Sequence, residues 1–246
     1  LGYNDLKQDH ADLIYASISG MGEIGPYAEQ RVYDYVIQGI SGVVDAQSTG
    51  EPEMVRTIIY DKVTALIAAQ GITAALFARA NGAGGQHIRL SMLDAGLYFN
   101  WPDLMWNYSF EGDDVQYAGD LADMYQVSKT RDGHIVSHHL GADTSSYSTD
   151  EIVDLLAANG IPVAKANSRA DVINDPQVLA MNILESSHHP RGGHMRFPRT
   201  PVRFEGTPTK PHLVSPEVGE HTVEILTELG MSLPEMNALA KQGAIG

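Results

Sequence analysis

The chain contains no cysteine among its 246 residues. That excludes disulfides, thiolate metal sites and a cysteine nucleophile, and it fits a reducing compartment, so a cytoplasmic location is expected. Positive charge is also scarce, with 16 Lys and Arg against 31 Asp and Glu and a net charge of −15. A general nucleic-acid surface needs the opposite balance, so no nucleic-acid partner is expected. An anionic ligand would have to be met by local basic residues or helix N-termini. No apolar run is read as membrane-spanning, and no membrane partner is expected. The opening LGYNDLKQDH lacks both a signal-peptide layout and an initiator Met, so the chain is expected to open inside a longer protein. What is present, 43% hydrophobic and 19% charged residues, is enough for a packed core.

LIYASI reads as a buried strand stopped by Gly20, and SGMGEIGPY (19–27) as a glycine-rich loop. Residues 30–44 place Val32, Val36, Ile37 and Ile40 at helical spacing, ending at Gly42. MVRTIIY (54–60) is β-branched and predicts a strand. Residues 62–80 are apolar on nearly every face, which predicts a buried helix stopped by Asn81-Gly82. HIRLSM then predicts a strand, with a helix from Leu93 toward Trp106. Strand, helix and strand at this spacing imply a βαβ unit with a parallel sheet.

Beyond it, YQVSKTRDGHIVSHHL predicts a hairpin turning at Asp132-Gly133, and Thr149 a cap for the helix ending at Gly160. A helix is expected within 169–185, a proline-rich connector over 197–211, a helix from Pro216 and a short terminal helix. The expected class is α/β. A parallel-sheet large domain (1–108) precedes a smaller α+β domain (109–196), and 197–246 returns to the large domain.

Asp61 is the residue that invites a chemical reading. It lies where the expected strand ends and the long helix begins, and open α/β sheets bind ligands at the carboxyl ends of their strands. The plain alternative is a helix cap, stabilising by about 1 kcal/mol. GAGGQ (82–86) and SGMGEIGP do not match the dinucleotide fingerprint and read as turns. The pairs His138-His139 and His188-His189, with His194, lack metal-ligand spacing, because adjacent residues on a strand point to opposite faces. No metal is expected.

Taken in order, LIYASISGMGEIGPY, Tyr33-Asp34 on a helix, Asp61 heading an apolar helix and NGAGGQHIRLSMLDA resemble the family III CoA-transferases of the CaiB/BaiF type. So do GIPVAKANS, DPQVLA, HPRGGHMRFPRTPVRF and VGEHTVEILTELG farther on. The resemblance covers almost the whole chain. It implies a Rossmann-like large domain, an interlocked homodimer or possibly a heteromer, and coenzyme A as acyl-CoA substrate with a small carboxylic acid. Asp61 would be the nucleophile that attacks the thioester. Tyr33 and Asp34 would be further active-site residues, Arg31 a basic residue near CoA, and Met92 part of the CoA cleft. A racemase relative would carry a histidine where Tyr33 stands, and tyrosine's ordinary pKa of roughly 10 suits that proton transfer poorly. An α-methylacyl-CoA racemase-like enzyme and a non-catalytic CoA-binding subunit are the alternatives. The family's N-terminal nucleotide-binding half is expected before LGYNDL, and a longer helical stretch where only GADTSSY stands.

Overall fold

The computed structural model describes residues 2–48, 50–209 and 214–245. They divide into two compact units, residues 1–164 and 165–246. The first begins with a short helix α1 (Tyr3–Leu6), then strand β1 (Ile14–Ser19), helices α2 (Asp34–Ile40), α3 (Val43–Ala46) and α4 (Tyr60–Ala78), strand β2 (Gln86–Ser91) and helix α5 (Met92–Asn100). β1 and β2 pair in parallel, from Ile14 opposite Gln86 to Ser19 opposite Ser91. A βαβ unit is present, but its first strand is β1, read in the sequence as LIYASI, rather than the expected MVRTIIY. Its core cluster is Met21, Ile37, Val43 and Tyr60.

Two glycines allow the unit to close. A Cβ on Gly85 would lie 2.4 Å from the Leu13 carbonyl oxygen, and one on Gly20 would lie 2.5 Å from the Val32 Cβ. Gly85 is where the backbone entering β2 slides beneath the start of β1, donating its N–H to the Ala11 carbonyl at 2.9 Å. Helix α4 stops as expected. Asn81 leaves helical geometry and Gly82 takes φ +90°, a conformation favourable only to glycine.

Several expectations do not hold. MVRTIIY is not a strand; its last residue, Tyr60, opens α4, and the segment before it is irregular. Helix α2 starts at Asp34 rather than near residue 30, and α5 ends at Asn100. Helix α4 is not buried all round. Only Tyr60, Thr64, Ala68 and Ala75 are buried, while Leu66 and Phe77 are each 72% exposed. Residues 60–83 also form one helical run long and apolar enough, by length and composition, to cross a membrane, although no such run was expected from the sequence. Thr64, Ala68 and Ala75 are buried where the helix packs on β1, β2 and α5, Val63, Ile67 and Ile72 are half-buried, and Leu66 and Phe77 face away.

The rest of the first unit is a sheet ordered β3-β4-β5 (Tyr125–Lys129, His134–His138, Val163–Lys165) with helix α6 (Thr149–Ala158). β3 and β4 form the expected hairpin about Asp132-Gly133. The cap of α6 is Ser148 rather than Thr149, in a reciprocal box with Glu151. Thr149 instead ties the hairpin to the helix. Its N–H and hydroxyl both donate to Asp132 Oδ1 at 2.7 Å, and its oxygen lies 2.7 Å from that of Thr130.

The second unit holds two short helices, α7 (Arg169–Val172) and α8 (Pro176–Ala180), where one was expected. Asp175-Pro176 separates them, with Asp175 capping α8. Part of that expected helix and the start of the expected connector are instead an antiparallel hairpin, β6 (Leu184–His189) and β7 (Gly193–Pro198). Helix α9 spans Thr222–Glu228, starting later than Pro216, and α10 spans Leu233–Lys241. Residues 210–211 of the connector lie outside the described residues.

Two outcomes follow from these contacts. Gly85→Ala lowers stability by about 2 kcal/mol in urea unfolding, because backbone must move to admit the methyl group. The hydrogen bonds from the Thr149 hydroxyl and N–H hold the Asp132 carboxyl below its ordinary range. Those from the Ser148 N–H and hydroxyl do the same for Glu151. A depressed folded-state pKa stabilises above the unfolded value, and that stabilisation is lost as pH falls through the folded one. Amide protection at the start of α6 therefore falls below about pH 4. Asp132→Asn weakens this dependence, as hydrogen exchange across an acid titration measures.

Candidate active site

A helix of 19 residues, about 28 Å long, begins at Tyr60 with no cap of its own. Its N-cap residue is Ile59, whose side chain cannot accept a hydrogen bond. The first N–H groups of any helix lack internal partners and must be met from elsewhere. Here the partner comes from another helix. Asp34 Oδ1, at the start of α2, accepts the N–H of Ile59 at 2.8 Å and that of Tyr60 at 2.6 Å. Its Oδ2 accepts Gln38 Nε2 at 2.6 Å. Asp34 is buried, and three protein donors meet its carboxylate.

Tyr60 anchors the same point in the core. It is fully buried, and its phenolic oxygen accepts from the Ser41 hydroxyl at 2.9 Å and from Asn100 Nδ2 at 2.8 Å. Asn100 Nδ2 also donates to the Ser41 carbonyl at 3.0 Å. Gly96 of α5 lies close against this ring, since a Cβ there would be 3.1 Å from both Tyr60 Cδ1 and Ile37 Cγ2. Thus α2, α4 and α5 meet at one buried tyrosine.

Asp61 is the next residue, and it is exposed. With Asp34 holding the helix start, Asp61 is not the cap that its position suggested. Its carboxylate has no hydrogen-bond or ion-pair partner among the described residues. The first-turn N–H groups of Asp61 and Lys62 have no helical acceptor either. The helix runs back from the carboxyl ends of β1 and β2, because it finishes shortly before β2 begins. Asp61 therefore stands at the sheet edge where α/β folds bind ligands.

The other expected residues are dispersed about this edge. Tyr33 is the N-cap residue of α2, next to Asp34; it is 66% exposed and stacks on Tyr35 with ring centroids 6.1 Å apart. The bond from Tyr60 to Asp34 links the residues adjacent to Asp61 and Tyr33. Arg31 is exposed on the approach to α2. Met92 opens α5 and is half-buried, packed against the Met21–Ile37–Val43–Tyr60 cluster.

Near Met92 a cavity of about 320 Å³ lies at the carboxyl ends of both strands, lined by Ser19, Met21, Glu23, Arg89, Ser91 and Asp94 among others. Arg89 and Glu23 pair in it at 3.0 Å. Sequence reading singled out neither of these, nor Gln38. The i,i+4 spacing of Asp34 and Gln38 was the available signal for the latter. No group of three or more His, Asp or Glu arranged to hold a metal occurs among the described residues. A second, largely apolar cavity of about 710 Å³ lies between α4 and α5, lined by residues including Val63, Leu66, Ile67, Leu97, Phe99 and Trp101.

Comparison with known proteins bears on the family and the fold. The family model described as CoA-transferase family III matches residues 1–144 and 136–222. The two stretches meet where the sequence carries only GADTSSY. The succinate–glutarate CoA-transferase of Agrobacterium fabrum is 29% identical over 93% of this chain and 68% of its own length. The human succinyl-CoA:glutarate CoA-transferase is 25% identical over 93% of this chain and 62% of its own. The chain thus spans about two thirds of these relatives. A CaiB/BaiF family protein from Brucella suis superposes with a TM-score of 0.75 at 26% identity, over 93% of this chain and 71% of that one. A hypothetical protein from Mycobacterium tuberculosis shares the fold, with a TM-score of 0.71 at 20% identity over 90% of this chain and 71% of that one.

The division of roles between the two aspartates has a direct thermodynamic consequence. Asp34→Ala strands two backbone donors and one amide, and costs about 3 kcal/mol in urea unfolding. Asp61→Ala changes stability by no more than about 0.5 kcal/mol. Were Asp61 a cap, its loss would cost about 1 kcal/mol or more.

Proposed function

We propose that this chain, which belongs to CoA-transferase family III, moves CoA from an acyl-CoA to a carboxylic acid with Asp61 as nucleophile. The observation that carries this reading is the uncommitted carboxylate of Asp61 at a helix start whose capping is done by Asp34. The Agrobacterium fabrum and human relatives named above are CoA-transferases, one named for succinate and glutarate and the other for succinyl-CoA and glutarate. Dicarboxylic acyl-CoA thioesters are therefore the substrates of first choice.

The Asp61 carboxylate attacks the thioester carbonyl, the acyl carbon–sulfur bond breaks, and CoA leaves as thiolate. The product is a mixed anhydride on Asp61. The bound thiolate then attacks the aspartyl carbonyl, releasing the donor acid and leaving Asp61 as a CoA thioester. The acceptor carboxylate attacks that thioester and expels the thiolate, which takes the acceptor acyl group and restores the Asp61 carboxylate. A carboxylate is a weak nucleophile, but CoA held in place makes each return attack effectively intramolecular. The free first-turn N–H groups at Asp61 and Lys62 are suited to the oxyanion that forms at each step. Asp34 acts by positioning. Tyr33 and Arg31, both exposed near the start of α2, are the nearest candidates for substrate contact, and Met92 for the wall of the CoA cleft.

A homodimer belongs to the same proposal. The exposed apolar side chains of α4 and the groove it forms with α5 support it, since a surface of that kind calls for a partner. Incubation with succinyl-CoA and hydroxylamine, followed by mass spectrometry, places a hydroxamate on Asp61. Asp61→Ala abolishes both the adduct and CoA transfer to glutarate while the circular dichroism stays unchanged. Transfer retained by that variant would overturn the reading. Deuterium uptake at Cα of a 2-methylacyl-CoA without transfer would replace it with racemase chemistry.

A further inference from the structure

Residues 54–58 approach Asp61 without belonging to any strand, and of their side chains only Val55 packs against the core, while Ile59 packs on it and Tyr60 is buried in it. Met54 and Ile58 are more than half exposed, and Arg56 and Thr57 are exposed as well. The backbone is gripped by side chains of α2 instead. Gln38, only 2% exposed, directs Nε2 to the Thr57 carbonyl at 3.1 Å, to the Val55 carbonyl at 3.3 Å and to Asp34 Oδ2 at 2.6 Å. One turn earlier, Asp34 takes the N–H groups of Ile59 and Tyr60. Two residues on one helix turn thus meet both the acceptors and the donors of the segment.

The amide orientation is enforced. Turned over, Gln38 would set an oxygen 2.6 Å from a carboxylate oxygen. In the observed orientation its Oε1 is buried with no hydrogen-bond partner among the described residues. A buried amide that leaves its oxygen unsatisfied while its nitrogen serves three acceptors is held there by what the nitrogen does.

We infer that Gln38 is a positioning residue for Asp61: it fixes the 55–60 segment and thereby the place from which α4 presents the nucleophile. The inference rests on the reading of Asp61 as nucleophile. A displacement of about 1 Å at a reacting group can cost on the order of 100-fold in rate. Gln38 touches no reacting atom, so its loss should slow the chemical step more than it weakens substrate binding.

The test compares wild type with Gln38→Met, which keeps the volume and removes the hydrogen bonds, and with Asp61→Ala. Three quantities are measured: the rate of hydroxylamine-trapped acylation at Asp61 by succinyl-CoA, KM and kcat for transfer to glutarate, and amide exchange by NMR. Support consists of acylation and kcat lowered by roughly 10- to 100-fold with KM within about twofold. It also requires faster exchange at Ile59 and Tyr60, with protection kept at Ile135 and Ile152. Acylation at the wild-type rate, a change in KM alone, or unaltered exchange at Ile59 and Tyr60 would overturn the inference and leave Asp61 as nucleophile. Protection lost at Ile135 and Ile152 too would overturn it in favour of a general core role. Wild type with no adduct at Asp61 would overturn both.

Discussion

The carboxylate of Asp34 accepts two backbone N–H groups from the start of α4 and one amide from its own helix. The junction of α2, α4 and α5 depends on that buried carboxylate. It lets a long helix begin without a cap of its own, brings the starts of α2 and α4 together, and fixes Tyr60 where Ser41 and Asn100 can satisfy its hydroxyl. Burying an ionised group is costly unless it is fully hydrogen-bonded, and here every donor is supplied by protein. The arrangement is cooperative in that α2, α4 and α5 cannot be displaced separately without stranding one of these groups.

The βαβ unit was legible in the sequence because it rests on local signals. LIYASI, HIRLSM, Gly20, Asn81-Gly82 and the Asp132-Gly133 turn each act within a few residues and were placed correctly, although MVRTIIY, expected as the first strand of the βαβ unit, is not a strand. Errors came where distant side chains override propensity. The β-branched segment 54–60 lacks a strand partner because its carbonyls and N–H groups are bound by Gln38 and Asp34. The expected helix within 169–185 failed for a local reason, since the Asp175-Pro176 pair both caps and interrupts. As for the site, the position of Asp61 at a helix start was readable, but the strand expected to end beside it, 54–60, is irregular. The freedom of Asp61 from capping was not readable, because the residue that replaces it lies 27 positions earlier and only the fold unites them.

The composition of α4 makes physical sense only with its two faces separated. Ala68 and Ala75 let the helix lie close against its neighbours, while Leu66, Phe77 and the aromatic residues of α5 present apolar area outward. A helix apolar all round is ordinarily enclosed. Here the helix satisfies that rule on one face through the sheet and α5, and the other face sets the terms on which any further chain would join.

Because the helix start is secured by Asp34, the residue at position 61 carries little responsibility for the fold. A position of that kind is open to evolutionary exploration. Its side chain can be replaced, and the chemistry at the sheet edge redirected, without each trial first having to survive a loss of folded protein. In that sense the scaffold separates inheritance of shape from inheritance of the side chain at position 61.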